Sequence, residues 1–227
     1  MPNSRHALKY CGLVILLTLF SGCATVDQWL PQTEEVAATP AAEPTPEPIT
    51  VDRFRASIQP LSAQQKAWLG TLKTQLANND NSGVSATIEV IAASLNVSET
   101  QPSMLFVALG DGAQHIGQQA QAADYWQQAI DSNTDNYYAH DRLATHYRTI
   151  GDFNLAKNHY RQALSAWPGF ANAYRNRGIL FDLYMGDKAA ALNDYARYKQ
   201  LLEQGGQPTK EVDRWIREMQ RALEQNF

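Results

Sequence analysis

Cysteine is nearly absent from this chain, which has two in 227 residues, Cys11 and Cys23. Cys11 lies inside an apolar N-terminal segment that we expect to be removed, so Cys23 would be the one cysteine of the mature chain. A single cysteine forms no intramolecular disulfide and no cysteine-based zinc site. The sequence therefore predicts a fold that is stabilised by helix packing alone.

Motifs of common catalytic sites are also missing. His115, His140, His146 and His159 do not form a His-Glu-x-x-His pattern or a two-histidine spacing with a carboxylate, as a zinc site would need. No Gly-rich phosphate loop precedes a helix, and no Gly-x-Ser-x-Gly turn occurs. We therefore expect no enzyme activity, no metal and no cofactor.

The chain has no excess of basic residues. It has 19 Lys and Arg against 23 Asp and Glu, with a formal net charge of −4. Nucleic-acid binding requires a basic patch or stripe, so a nucleic-acid partner is not expected. The charge also argues against attachment to a membrane through a polybasic surface.

No apolar run is long enough to predict a transmembrane helix. The run at 12–20 is shorter than the roughly 20 residues that a membrane span needs. Arg5 and Lys9 precede it, and the small residues Ser21 and Gly22 follow it. A basic start, a short apolar core and a small-residue end are typical of a secretory signal peptide, which we place at 1–22.

Residues 20–23, Phe-Ser-Gly-Cys, resemble the lipobox of bacterial lipoproteins, although Phe20 stands where Leu, Val or Ile is usual. The resemblance implies cleavage before Cys23 and acylation of Cys23, with palmitate among the acyl chains. Ala24, in place of Asp, implies sorting to the outer membrane of a Gram-negative cell, on its periplasmic face. An ordinary cleaved signal or an uncleaved anchor remains the alternative.

Residues 23–50 have the composition of a tether. They contain five prolines and five acidic residues, and they contain no Lys or Arg. Such a segment cannot bury enough apolar surface to offset the entropy of ordering. We predict a disordered, rather extended spacer.

A pattern of small and aromatic residues returns in the C-terminal half at intervals of 34 and then 35 residues. The recurring triplets are Ala122, Trp126 and Ala129; Ala156, Tyr160 and Ala163; and Ala191, Tyr195 and Tyr198. Upstream of each triplet lies a second recurring pair: Leu109 and Gly110, Leu143 and Ala144, and Arg177 and Gly178. A fixed period near 34 predicts stacked two-helix units. For the middle unit we predict helices at 138–149 and 153–165, ended by Pro168.

This pattern resembles the tetratricopeptide repeat (TPR), with units at 103–136, 137–170 and 171–205. The departures are His140 for Trp, Thr134 for the closing proline, Arg177 for Leu, Tyr198 for Ala, and one extra residue in the third turn at 183–186. The resemblance implies an all-α, TPR-type helix-turn-helix solenoid, preceded by the signal peptide and the tether. Such folds bind proteins or peptides.

Two further segments flank the three units. For 51–102 we predict a degenerate helical hairpin that opens with a capping box at Ser62–Gln65. Its first helix would bury Trp68, Leu69, Leu72 and Leu76, a turn would follow at 78–83, and its second helix, at 84–95, would bury Ala86, Val90 and Ala93. For 206–227 we predict a capping helix with Val212, Trp215, Ile216, Met219 and Leu223 on one face.

In the TPR family, positions 2, 5, 9, 12 and 13 of each unit line a concave groove. These positions are Met104, Val107, Asp111, Gln114 and His115; Tyr138, Asp141, Thr145, Arg148 and Thr149; and Asn172, Arg175, Ile179, Asp182 and Leu183. Arg148 and Arg175 would suit the acidic groups of a peptide that also carries apolar anchors. The alternative is that these two arginines pair with Asp141 and Asp182.

The resemblance thus favours a non-catalytic, lipid-anchored periplasmic adaptor that binds protein partners of an envelope complex. Pilus or secretin assembly, a TonB-type system and the peptidoglycan machinery all fit this description. The alternative is a regulatory subunit that holds or controls a murein hydrolase or a protease.

Overall fold

The computed structural model describes residues 52–95 and 101–225, which belong to one compact unit. The predicted signal peptide, Cys23 and the tether lie outside the described residues. The described part of the chain consists of helices and connecting turns. In chain order these are α1 (Arg53–Ser57), α2 (Ala63–Ala77), α3 (Asn81–Ser94), α4 (Ser103–His115), α5 (Gln119–Ser132), α6 (Tyr137–Ile150), α7 (Phe153–Ala166), α8 (Ala171–Ile179), a π-helical turn (Leu180–Met185), α9 (Lys188–Gln204) and α10 (Lys210–Glu224).

Helices α4 and α5, α6 and α7, and α8 and α9 form three successive hairpins, each packed on the next. Trp126, Tyr160 and Tyr195 are buried at the centres of these hairpins. Each aromatic ring requires a small residue on the first helix. A Cβ added to Gly110 would lie 2.4 Å from Nε1 of Trp126, and one added to Gly178 would lie 2.6 Å from Cε1 of Tyr195. The recurring small and aromatic residues are therefore the packing partners within each hairpin.

The extra residue of the third unit lies within a helix. The predicted longer turn at 183–186 is wrong, because Leu180–Met185 forms a π-helical turn that continues from α8 and takes up the residue. Gly186 then ends the helix with a φ of 68°, and Asp187 caps α9. Gly151, with a φ of 88°, and Asp152 end α6 and cap α7 in the same way.

The hairpin of α2 and α3 packs against α4. The predicted capping box is confirmed, since Ser62 Oγ accepts from the Gln65 amide and Gln65 Oε1 accepts from the Ser62 amide. Helix α3 begins at Asn81, earlier than predicted, because the Asp80 carboxylate accepts from the Gly83 amide and caps it there.

The predicted buried face of the second helix is wrong. Ala86, Val90 and Ala93 are exposed, and Val90 retains 56% of its accessible surface. The buried residues of α3 are Val84, Ile88 and Ile91. Burying two isoleucines removes more apolar area from water than burying two alanines, so α3 is rotated accordingly.

Helix α10 packs on α9 through the predicted apolar face. Val212 and Met219 are buried, and Trp215 lies with its ring centroid 5.3 Å from that of Tyr195. Together with Ala191 these side chains form a small separate core at the C-terminal end of the repeats. In the described residues, no helix combines the length and the apolar character that crossing a membrane would require.

Candidate functional site: a polar groove

A cavity of about 470 Å³ lies along the first helices of the three hairpins. We call it the polar groove. It is lined by Leu76 of α2; Asp111, Gln114 and His115 of α4; Asp141, Arg142, Thr145 and Arg148 of α6; and Asn176 of α8. Its lining is thus almost entirely hydrogen-bonding or charged.

The structure brings six of the predicted groove residues together in this cavity: Asp111, Gln114, His115, Asp141, Thr145 and Arg148. The sequence analysis missed Arg142, Asn176 and Leu76. Arg142 and Asn176 are 34 residues apart, at the sixth position of the second and third units. The repeat period could therefore have identified both of them.

Two of the other predicted residues lie near the first turn of their helices. Met104 and Tyr138 pack against the apolar cores, and Tyr138 contacts Phe54 of α1. Val107 is buried in the first core, so it is wrong as a groove-facing residue. Its burial follows from the packing of α2 and α3 against α4.

The third unit contributes little to the polar groove. Arg175 lies with its guanidinium carbon 5.8 Å from the Trp215 ring centroid, and Ile179 packs in the C-terminal core. Asp182 forms an ion pair with Lys188. Asn172, Leu183 and Thr149 are exposed. Helix α10 thus contacts Arg175 and Ile179, two residues that the repeat pattern predicts to face a partner.

Asp111 is held in place by two neighbours. Arg142 donates from Nε and Nη2 to its two carboxylate oxygens, at 2.7 and 3.1 Å, and Trp126 Nε1 donates to Oδ1 at 3.2 Å. A bidentate arginine–carboxylate pair has a fixed geometry. Arg142 and Asp111 therefore form a rigid link across the groove between α6 and α4.

Asp141 is a buried carboxylate, with 2% of its surface exposed. Its Oδ1 accepts from Asn176 Nδ2 at 2.9 Å, and its Oδ2 lies 3.6 Å from Arg142 Nη1. Burial raises the pKa of Asp141, while the Asn176 hydrogen bond and the charges of Arg142 and Arg148 act in the opposite direction. Because burial is the larger effect, the groove floor carries a carboxylate that takes up a proton more readily than an exposed one does.

Arg148 is the least satisfied side chain of the groove. Its Nη1 is buried and makes no hydrogen bond with any described residue, and its guanidinium carbon lies 5.8 Å from the Tyr184 ring centroid. The alternative, in which Arg148 and Arg175 pair with Asp141 and Asp182, is not the arrangement found, since Asp141 lies beside Arg142 and Asp182 pairs with Lys188. A buried donor without an acceptor costs about 1–3 kcal/mol, so the position of this arginine is one that packing alone does not favour.

The described residues contain no group of three or more His, Cys, Asp or Glu side chains arranged to hold a metal ion. What the groove offers is hydrogen-bond donors, acceptors and two arginines, Arg142, which is paired with Asp111, and Arg148. Such an arrangement suits reversible binding of a polar or acidic segment.

No protein-family model and no curated protein match this sequence. Solved structures do match its fold. The first TPR domain of Spaghetti (RPAP3), bound to the HSP90 peptide SRMEEVD, aligns with a TM-score of 0.50 and 20% identity over 56% of this chain and 96% of that domain. YrrB, described as a TPR protein with an unusual peptide-binding site, aligns with a TM-score of 0.50 and 19% identity over 60% and 68% of the two chains.

At these identities the comparisons establish the fold. The chain has the tetratricopeptide fold, an all-α solenoid of helical hairpins with a C-terminal capping helix, as the sequence predicts.

Proposed function

We propose that this tetratricopeptide-fold chain is a non-catalytic adaptor that holds a peptide segment of a protein partner in the polar groove. The observation that carries the proposal is the position of Arg148, a half-buried cation that lines the cavity and forms no ion pair with the described residues. A carboxylate of a partner in the cavity would pair with the guanidinium through charge-assisted hydrogen bonds.

The surroundings of Arg148 favour one acidic group over several. Arg142 is already engaged by Asp111, and Asn176 by Asp141, so Arg148 is the groove cation that is left to receive a carboxylate. The fixed carboxylates of Asp111 and Asp141 would repel a highly acidic ligand. The proposed ligand is therefore a mostly neutral segment with one acidic side chain or a free C-terminus.

The two solved relatives support peptide binding as a use of this fold. One of them holds an HSP90 peptide, and the other is described by its peptide-binding site. Because their identities to this chain are 20% and 19%, they do not indicate which peptide this chain would bind.

We place the adaptor on the periplasmic face of an outer membrane, attached through acylated Cys23 and partnered with an envelope complex. The support for this location is the sequence of residues 1–24, with its basic start, short apolar core and Ser-Gly-Cys end. Stable anchoring requires more than one acyl chain, as acylated N-terminal cysteines of lipoproteins provide.

Crosslinking in cells tests the groove. A photoreactive amino acid at His115, which is exposed and lines the groove, is compared with one at Val90, which is exposed on α3 and does not line it. We expect one dominant crosslinked protein from His115 and loss of that product when Arg148→Glu is added. The same products from both positions, or a product insensitive to Arg148→Glu, would place the interface elsewhere.

Metabolic labelling with palmitate tests the location. We expect Cys23→Ser to abolish both the label and the recovery of the chain with membranes, while Cys11→Ser, the matched control, changes neither. Membrane recovery of unlabelled Cys23→Ser protein would contradict the lipid anchor and leave the groove proposal untouched.

A further inference from the structure

Helix α1 attaches to the repeats through one aromatic side chain. Phe54 is 1% exposed, and its ring centroid lies 5.6 Å from that of Tyr137 and 6.2 Å from that of Tyr138. Phe170 packs against both tyrosines, with its ring centroid 4.7 and 5.5 Å from theirs. We call Tyr137, Tyr138 and Phe170 the aromatic site.

Arg53, the residue before Phe54, contacts two electronegative groups beside this site. Arg53 Nη2 donates to the Ser165 carbonyl oxygen at 3.1 Å and lies 3.0 Å from Oδ1 of Asp135. Ser165 is in the last turn of α7, where the helix dipole also favours a cation. An arginine followed by a phenylalanine therefore matches two adjacent features of the surface.

Two weaker polar contacts complete the attachment. The Tyr137 hydroxyl donates to Oδ2 of Asp52 at 3.2 Å, and Asn133 Nδ2 donates to Ser57 Oγ at 2.9 Å. The contacts of residues 52–57 thus resemble those of a short bound peptide: one anchor in a pocket, a flanking charge, and peripheral hydrogen bonds.

The attachment is weak enough to open without unfolding the repeats. Phe54 is the one buried residue between Arg53 and Pro60, so a single apolar side chain anchors the segment. Helix α1 has five residues, and helices shorter than roughly 12 residues are marginal by themselves. Residues 58–61, which include Pro60, are not helical and separate α1 from α2. Such a segment opens locally at a fraction of the global stability.

We propose that the aromatic site is a second peptide-docking site, apart from the polar groove, and that residues 52–57 occupy it in cis until a partner segment with an arginine directly before an aromatic residue replaces them. In the exchange the partner's ring takes the place of Phe54 against Tyr137 and Tyr138. Its guanidinium takes the place of Arg53 between Asp135 and the Ser165 carbonyl.

The cis segment sets the affinity of the site. A partner binds only the fraction of molecules in which the segment is released, so the segment lowers the apparent affinity by that fraction. If the segment is closed in about 90 to 99% of molecules, a competing peptide binds roughly 10- to 100-fold more weakly than it binds the open site.

A fluorescent peptide with the sequence of residues 50–58 serves as the probe, titrated with the purified full-length chain. We expect Phe54→Ala to bind this peptide at least 10-fold more tightly than the unmutated chain does. A peptide of the same sequence with alanine in place of its phenylalanine should not bind. Arg53→Ala, which keeps the Phe54 anchor, should bind the probe several-fold more tightly than the unmutated chain.

Equal dissociation constants for the unmutated chain and Arg53→Ala, or no binding by a Phe54→Ala chain that keeps its helical circular dichroism and cooperative melting, would overturn the proposal. If Phe54→Ala does not fold, the Arg53→Ala comparison decides alone. Light scattering that shows the unmutated chain to be a dimer, dissociated by the probe, would also overturn it, since the occupant would then be the segment of a second copy.

Discussion

Arg177 donates from Nε and Nη2 to the two carboxylate oxygens of Asp194, at 2.7 and 2.6 Å, joining α8 to α9. The repeat pattern led us to expect a leucine at position 177. The third hairpin instead places a charge pair there, in which Asp194 is almost fully buried. The guanidinium also lies 5.8 Å from the Phe181 ring centroid.

This pair leads to the first prediction. Asp194→Ala should lower the free energy of unfolding by about 3 kcal/mol, because it leaves a largely buried arginine without its carboxylate. Adding Arg177→Leu, which restores the apolar residue of the repeat pattern, should recover most of the loss. Urea denaturation measures both values, and a double variant less stable than Asp194→Ala would contradict this account.

Gly110 provides the second prediction. Gly110→Ala should destabilise the chain by about 1–3 kcal/mol, because the new Cβ would overlap the Trp126 indole. Gly70→Ala is the matched control, since Gly70 is also inside a helix but has open space around its missing Cβ. That control should raise stability by about 0.5–1 kcal/mol. Similar melting temperatures for the two variants would show that the Gly110–Trp126 contact is not tight.

Tyr160 provides the third prediction. Its ring is fully buried between α6 and α7, and its hydroxyl lies 3.1 Å from Thr145 Oγ1. Tyr160→Ala should cost about 3–5 kcal/mol, as removal of a buried aromatic does, whereas Tyr160→Phe should cost about 1 kcal/mol through the lost hydrogen bond. A loss below about 1 kcal/mol for Tyr160→Ala, read from denaturant unfolding, would show that the hairpin does not depend on this ring.

A buried histidine pair provides the fourth prediction. His140 Nδ1 lies 3.1 Å from His159 Nδ1, and His140 Nε2 lies 3.1 Å from the Thr134 carbonyl oxygen. Because a carbonyl accepts, His140 donates from Nε2, and His159 then donates to His140 Nδ1. His159 is also stacked on Tyr147.

Burial lowers the pKa of His140, against the opposing effects of the Thr134 bond and the Asp135 charge, and burial with the His140 charge lowers the pKa of His159 to about 4. At pH values between the unfolded pKa, near 6.5, and these lower folded values, the unfolded state binds more protons than the folded state does. Stability should therefore fall as the pH falls from 7 to 5. His159→Asn should flatten this dependence, and an unchanged slope for His159→Asn would contradict the assignment.

The three hairpins could be predicted from the sequence because residues that recur at the same place in each unit occupy the same place in the packing. Once Trp126, Tyr160 and Tyr195 recur at one place in successive units, their burial and the need for Gly110 and Gly178 follow from packing. The same logic located six of the residues of α4 and α6 that line the polar groove, although it missed Arg142 and misassigned Val107. It failed on the third unit, where the ring of Trp215 in α10 packs against Tyr195 and approaches Arg175.

Outside the repeats, no residue recurs at a fixed interval, so the sequence does not show which positions are buried. The face of α3 was misassigned because a degenerate unit lacks the aromatic residue that fixes rotation, and Ile88 and Ile91 determined it instead. The docking of Phe54 on Tyr137 joins residues more than 80 positions apart, and no local pattern reports such a contact. The π-helical turn was visible as an extra residue, but the sequence does not say whether the helix or the turn takes it up.

The most direct test of the adaptor account is the dissociation constant of the segment crosslinked from His115, measured by calorimetry with three versions of the chain. We predict that Arg148→Ala binds at least 10-fold more weakly than the unmutated chain, about 1.4 kcal/mol or more. Arg161→Ala, an exposed arginine on α7 that does not line the groove, should bind as the unmutated chain does. Equal affinity of all three chains would contradict the assignment of Arg148, and of the polar groove, as the binding site.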